Sequence, residues 1–474
     1  MTHNPPRKPT ALFVLLALIL PAMAAFAAAP TRPAYQFLRS TEDWSVFRNA
    51  PDRGQDPFDA FKFVPLDAAG ADWASFGGDV RVRSETWTGF NFGAPAGVSH
   101  DDTFFLSRLR AHGDLHLGDS LRFFAELKGD YASRRDLPGG VRTVDEDKFE
   151  LQQLFVDVKF DLGDGASLTL RPGRQEYSLG VQRLVSCLPW ANSLRTWDGL
   201  TAVLATKGWN VTAFEAAFVP IVRNGIGRAD NDELLGGVYA RQMNGGKPTG
   251  LELYVLRNDW NTPHTFNGTK GADRRWTLGL RKTAQPTPRT DYDVEIDYQL
   301  GSTGAGNVEA WSVASVAGWQ AREDKSLRLW AGFDWASGDR GTGGDVQTFN
   351  QLYPLGHAYF GAIDMIGRQN IIDLSAGAGW KAAPKLTVNF QVHDFQADST
   401  KDAIYNAGGG VVRAGGSYRS PAIGQEFDVT AAWNYNRHVV LEGGYGHFYA
   451  GAAIEQSGRS GDIDFAYVGS TVTF

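Results

Sequence analysis

The stretch DYDVEIDYQLG, residues 291–301, sets an acid or amide at every second position: Asp291, Asp293, Glu295, Asp297 and Gln299. Tyr292, Val294, Ile296, Tyr298 and Leu300 lie between them. Successive side chains of a strand point to opposite faces, so one face here is carboxylate-rich and the other aromatic and branched apolar. In a soluble antiparallel sheet the apolar face meets a core and the polar face bulk water. In a membrane barrel the apolar face meets lipid and the polar face an aqueous lumen. The stretch alone fits both.

The chain around it decides. From residue 73 onward, segments of about ten alternating residues are joined by connections that are short and long in turn. LGDS (117–120), LGDGAS, TKGWN, NGGKPTG, AQPTPRTD, AREDKS, KAAPK and NYNRH are short. GFNFGAPAGVSHDD, SRRDLPGGVRTVDEDK, GRQEYSLGVQRLVSCLPWANS, VPIVRNGIGRADND, RNDWNTPHTFNGTKGAD, the stretch 336–370 and DSTKDAIYNAGGGVVRAGGSYRSPAIGQE are long. A soluble sandwich has no reason to sort its loops by parity. An outer-membrane barrel does, with short turns on the periplasmic side and long loops outside. Counting gives nine strand pairs, so the expected fold is all-β: a single transmembrane β-barrel of about eighteen antiparallel strands. Segments 211–219 and 309–320 are the weakly patterned ones.

Other stretches carry the same two faces. In RLRAHGDLHLG, Arg108, Arg110, His112, Asp114 and His116 share one side, and in SLRLWAGFDWASG, Leu327, Leu329, Ala331, Phe333 and Trp335 share another. The 55 glycines and 12% aromatic content suit many turns and interfacial girdles. After the N-terminus no run reaches the roughly 18 apolar residues that a spanning helix needs.

The N-terminus itself, basic Arg7 and Lys8 before ALFVLLALILPAMAAFAAAP, reads as a secretory leader over residues 1–29. A periplasmic segment, 30–72, and the barrel, 73–474, are expected to follow. One cysteine, Cys187, rules out an intramolecular disulfide. With 46 basic against 53 acidic residues the net charge is −7, which argues against a nucleic-acid partner. The chain closes on AYVGSTVTF, an alternating strand ending in Phe474, which resembles the signal read by the barrel-assembly machinery.

FLRSTEDWSVFRN with DPFDAFKFVPLD, LRPGRQEYSLGVQRLVS with RTWDG, and TFNQLYPLGHAYFGAID with GRQNIIDL together resemble the alginate-export porin family of the Gram-negative outer membrane. The resemblance implies a monomeric eighteen-stranded channel, surrounded by lipid and lipopolysaccharide, that lets an anionic polysaccharide leave the cell through an electropositive constriction narrowed by loops. It also implies a long periplasmic plug near the last strand pair and periplasmic export proteins as partners. This chain departs there, since NYNRHVVLEGG leaves about three residues, Asn436 to His438. The alternative within the same fold is a diffusion porin for small anions or sugars.

The candidate selectivity residues are Arg81, Arg83, Arg108, Arg110, Lys128, Arg171, Arg174 and Arg195, with Glu295 and Asp297 on the opposite wall. Guanidinium groups bind carboxylates in pairs, and a row of them offers a polyanion successive weak sites. The same cations are equally able to pair with wall acids such as Glu85, Glu126 and Asp130. Alternate strand residues stand nearly 7 Å apart, too far for His112, Asp114 and His116 to converge on a metal without a bulge. No H-x-S, G-x-S-x-G or H-E-x-x-H occurs, and GRQE (173–176) offers only Glu176 beside Arg174, so neither enzymatic activity nor a cofactor is expected. GSTGAGN, GTGGD and NAGGGVVRAGG lack a following Lys-Ser/Thr and read as flexible loops. Trp190, Tyr353, Tyr359 and Phe360 are loop aromatics that suit either sugar stacking or packing within a loop folded into the pore.

Overall fold

A computed structural model describes residues 32–50 and 54–474; the leader expected over residues 1–29 lies outside them. Eighteen long antiparallel strands run from Trp73–Thr88 to Ile463–Thr473. The last pairs with the first through a register that includes Val80↔Val472 and Thr88↔Asp464, which closes the sheet into a barrel. Closure leaves no unpaired strand edge in hydrocarbon.

The two faces of the opening stretch separate as expected. On the eleventh strand, Thr290–Thr303, Glu295, Asp297 and Gln299 are buried, while Ile296 and Leu300 point outward. Leu329 and Phe333 point outward from the thirteenth strand, Leu327–Ala336. Both weakly patterned segments are strands, Trp209–Phe218 and Gly306–Gln320.

Two connections differ from the expected parity. RNDWNTPHTFNGTKGAD is not a loop, because the ninth strand, Lys247–Phe266, runs through it with an irregularity between Trp260 and His264. The chain then turns in two residues, Asn267 (φ +41°) and Gly268 (φ +92°), into the tenth strand, Thr269–Thr287. Asn-Gly is favoured there because a hairpin turn that matches strand twist needs positive φ at both positions. GSTGAGN likewise contains a tight turn, at Gly304 and Ala305, and not a flexible loop. In NAGGGVVRAGG, Val411–Arg413 pairs with Ile404–Tyr405 as a small hairpin.

Residues 32–50 and 54–72 pack against the short-turn end of the barrel. Trp44, Phe47 and Phe63 bury themselves against Trp73 at the start of the first strand, and Val64–Pro65 pairs with Ala74 and Trp73. Arg39 donates to the Phe474 backbone oxygen (3.0 Å), Lys62 to the Phe76 carbonyl (2.9 Å), and Asp56 meets His438 at 2.6 Å. The turn before the seventeenth strand, Val439–Ala450, is as short as the sequence implies. At the same end the N-terminal segment also reaches the wall, where the Phe37 carbonyl accepts from Arg110 (3.1 Å).

Candidate functional site

Two long connections fold into the barrel and interlock. One, 176–196, joins the fifth and sixth strands; the other, 337–370, joins the thirteenth and fourteenth. Val185 and Tyr353 form a parallel bridge, Leu355 N–H donates to the Gln182 carbonyl (3.0 Å), and Arg195 donates to the Pro354 carbonyl (3.0 Å). Tyr353 and Phe360 are buried in the resulting core, so packing accounts for both rings. Backbone amides of Ala362 and Ile363 donate to Asp428 (3.1 Å) and Glu426 (2.9 Å) of the wall.

The tip of the first loop crosses the pore. Arg81 donates to the Pro189 and Trp190 carbonyls (both 3.1 Å) and to that of Ala191 (2.7 Å). Arg108 donates to Ala191 (3.0 Å), and Arg83 to Trp190 (2.9 Å). The Trp190 ring lies between Arg83, 3.8 Å from its centroid, and the His357 ring, 3.6 Å away and nearly parallel. A cavity of about 400 Å3 on the periplasmic side is lined by Phe37, Arg39, Arg81, Arg108 and Glu442. Another of about 460 Å3 on the outer side is lined by Arg142, Arg195, Asp364 and Met365. Trp190 and His357 line both cavities and stand between them.

The predicted cations divide into two groups. Lys128 is buried between Asp130 (2.6 Å) and Asp147 (3.0 Å). Arg171 holds Asp157 through two bonds, and Arg174 holds Asp198 and Glu150. Arg110 pairs with Asp79 (2.6 Å), lies 3.9 Å from Glu126, and donates to the Phe37 carbonyl. Arg83 pairs with Glu85 at 2.6 Å. By contrast Arg81, Arg108 and Arg195 form no ion pair among the described residues; their hydrogen-bond partners are carbonyl oxygens, plus the Asn192 side-chain oxygen at Arg81. Arg108 faces Asp130 across the strand pair, yet Asp130 is taken by Lys128.

On the far wall, nine strands away, Glu295 and Asp297 do not stand bare. Arg183, from the inserted loop, reaches Glu295 at 2.6 Å and Asp293 at 2.9 Å. The Tyr254 hydroxyl lies 2.5 Å from Glu295 and 2.6 Å from Asp297, and its single proton serves one at a time. Arg183 and His357 are site residues that sequence reasoning did not single out. Both lie inside the stretches that carry the family resemblance, which was the available signal. Among the described residues no cluster of His, Cys, Asp and Glu is arranged to hold a metal ion.

A sequence profile described as Alginate export matches residues 72–465. The chain belongs to the alginate-export family. It is an outer-membrane β-barrel export channel, of a family and fold that are those of channels and not of enzymes. No curated protein matches it in sequence. Solved structures share the barrel at low identity. OccD3 (OpdP) of Pseudomonas aeruginosa aligns with a TM-score of 0.55 and 11% identity over 84% of this chain and 91% of its own. OprD of P. aeruginosa gives 0.53 and 11% over 84% and 93%. OccK2 (OpdF) of P. aeruginosa, in complex with glucuronate, gives 0.52 and 11% over 85% and 96%.

Proposed function

We propose that an anionic, alginate-like polysaccharide crosses the outer membrane through this lumen, with Arg195, Arg81 and Arg108 as the charges its carboxylates meet in succession. What supports this reading is that these three guanidinium groups, on both sides of Trp190, have no acidic partner among the described residues, and Arg81 and Arg108 are buried. A buried cation satisfied by neutral acceptors keeps most of its unmet attraction for an anion. Arg83, Arg110, Lys128, Arg171 and Arg174 add to the basic field but spend their first contacts on wall acids. Glu295 and Asp297, screened by Arg183 and Tyr254, contribute less to a transverse field than bare carboxylates would.

In the same reading residues 1–29 are removed on export, 30–72 remain on the periplasmic face, and 73–474 insert as a monomer, since a closed barrel needs no partner strand. Phe474 is the end that the assembly machinery reads, lipopolysaccharide surrounds the outer rim, and periplasmic export proteins feed the inner mouth. A second reading, passage of small uronates, is favoured by the modest volume of the two cavities. The test is the reversal potential of single channels in a salt gradient. Arg108→Gln should lower anion preference in a folded barrel, and the difference should shrink as salt shortens the Debye length from about 10 Å at 0.1 M. Arg110→Gln should mainly destabilise the wall by stranding Asp79. An unchanged reversal potential in a folded Arg108→Gln channel refutes the electropositive pathway.

A further inference from the structure

Arg81 and Arg108 donate to three successive backbone carbonyls, of Pro189, Trp190 and Ala191, which fan across the guanidinium edges where a ligand carboxylate would lie. We propose that the loop tip is a resident stand-in for substrate, and that a uronate carboxylate opens the passage by displacing it. The proposal rests on the polyanion reading above and adds how the pore is opened and by what.

The loop is built for such an exchange. Residues on both sides of the tip are fixed: Cys187 is fully buried and its carbonyl accepts from Arg195 N–H, while the buried Asn192 amide donates to the carbonyls of Ser107, Tyr131 and Asp145. Between them Leu188 to Ala191 are half-buried and face cavity on both sides. Leu188 sits in left-handed backbone (φ +64°), a conformation that a leucine adopts only when its surroundings impose it. The four-residue flap is held by its contacts to Arg81, Arg83 and Arg108, by the Leu188 N–H bond to Ser186 Oγ (2.9 Å) and by the Trp190 ring against Tyr467.

The exchange favours an anion. The carbonyls offer the guanidinium groups only dipoles, whereas a carboxylate adds a full opposite charge and two oxygens that match the guanidinium fork. A neutral sugar offers only hydroxyls, which compete with the carbonyls on equal terms. Once the carbonyls leave, Trp190 loses its backbone hold on Arg83, slides from its stack with His357, and the two cavities become one passage. The substrate that opens the channel is then the one whose charge the passage accepts.

The experiment measures single-channel open probability in planar bilayers with tetragalacturonate as the acidic probe and maltotetraose as the neutral one. In the parent channel the acidic probe should raise open probability at least about tenfold, the change that one added charge-assisted bond supports, and maltotetraose should not. Trp190→Ala should be open without either probe and gain no further opening from tetragalacturonate. Arg81→Gln should be leaky at rest and lose the acid-specific increase, and Arg108→Gln serves if that variant does not fold. Block of the parent by tetragalacturonate without opening would overturn the displacement mechanism and leave the polyanion reading standing. Neither opening nor block would overturn both. Equal opening by the two probes would overturn the requirement for charge.

Discussion

The Arg183–Glu295 contact ties an inserted loop to the barrel, and Glu295→Gln should loosen that tie while the wall keeps the Tyr254–Asp297 bond (2.6 Å). Gln keeps the shape of the side chain but removes the charge that Arg183 meets at 2.6 Å and one acceptor of the Tyr254 hydroxyl. Stripping a buried ion of its whole partner costs about 3–5 kcal/mol. Arg183 keeps Asp293 at 2.9 Å, on a side chain 22% exposed, so the loss should fall nearer the about 1.5–3 kcal/mol of one hydrogen bond to a charged group. Because Arg183 belongs to the loop and Glu295 to a closed barrel, that cost falls on docking of the loop. It corresponds to a shift of about 10- to 150-fold in the open-to-closed ratio, read as single-channel open probability, with heat resistance of the barrel on a denaturing gel unchanged. Glu295→Lys would set a second cation against Arg183 and should expel the loop altogether. An unaltered open probability in folded Glu295→Gln channels would refute the anchoring role, and loss of the barrel would show that the contact belongs to the wall.

Ile296→Lys, one residue away on the lipid face, should instead cost the barrel about 2–4 kcal/mol if the site lies near mid-bilayer, measured by refolding into lipid vesicles; wild-type stability would mean the face does not meet lipid. Phe474→Asp keeps the backbone oxygen that Arg39 uses but removes the ring beside Phe58, 5.7 Å away. Outer-membrane levels should fall while the inserted molecules conduct normally, and normal levels would remove Phe474 as the assembly signal. Burial pulls the Lys62 ammonium down to about 8. A lysine depressed in the folded state contributes stability above its unfolded value of about 10.4, lost as pH falls through 8. Residues 32–72 should thus resist protease better at pH 10 than at pH 7, and Lys62→Met should lessen that difference.

The barrel was legible because lipid on one side and water on the other impose a strict period of two, as in Tyr292 to Leu300, and because turn length sorts the two ends. The facing ends of the ninth and tenth strands, residues 257–273, read as a loop because Trp260 to His264 break the alternation, although Asn267-Gly268 announced a hairpin. The site was less legible for a different reason. Whether an arginine is free depends on cross-strand register and on loops that return from far along the chain: Arg81 meets Ala191, 110 residues away. Lys128 and Asp130 share a face two residues apart, but nothing near them in sequence says that Asp147 completes the pair. Likewise the N-terminal segment gave composition but no clue that its Phe37 carbonyl would cap Arg110.

The hairpin at Asn267-Gly268 has strands of 20 and 19 residues, where about 9–11 suffice to cross the bilayer. The surplus of about ten residues over that minimum, at about 3.3 Å each and tilted about 40°, is enough to carry the hairpin roughly 25 Å beyond the hydrocarbon. Two of eighteen strands make such a parapet, so a chain emerging from the lumen meets protein on one side and open space over the remainder of the rim.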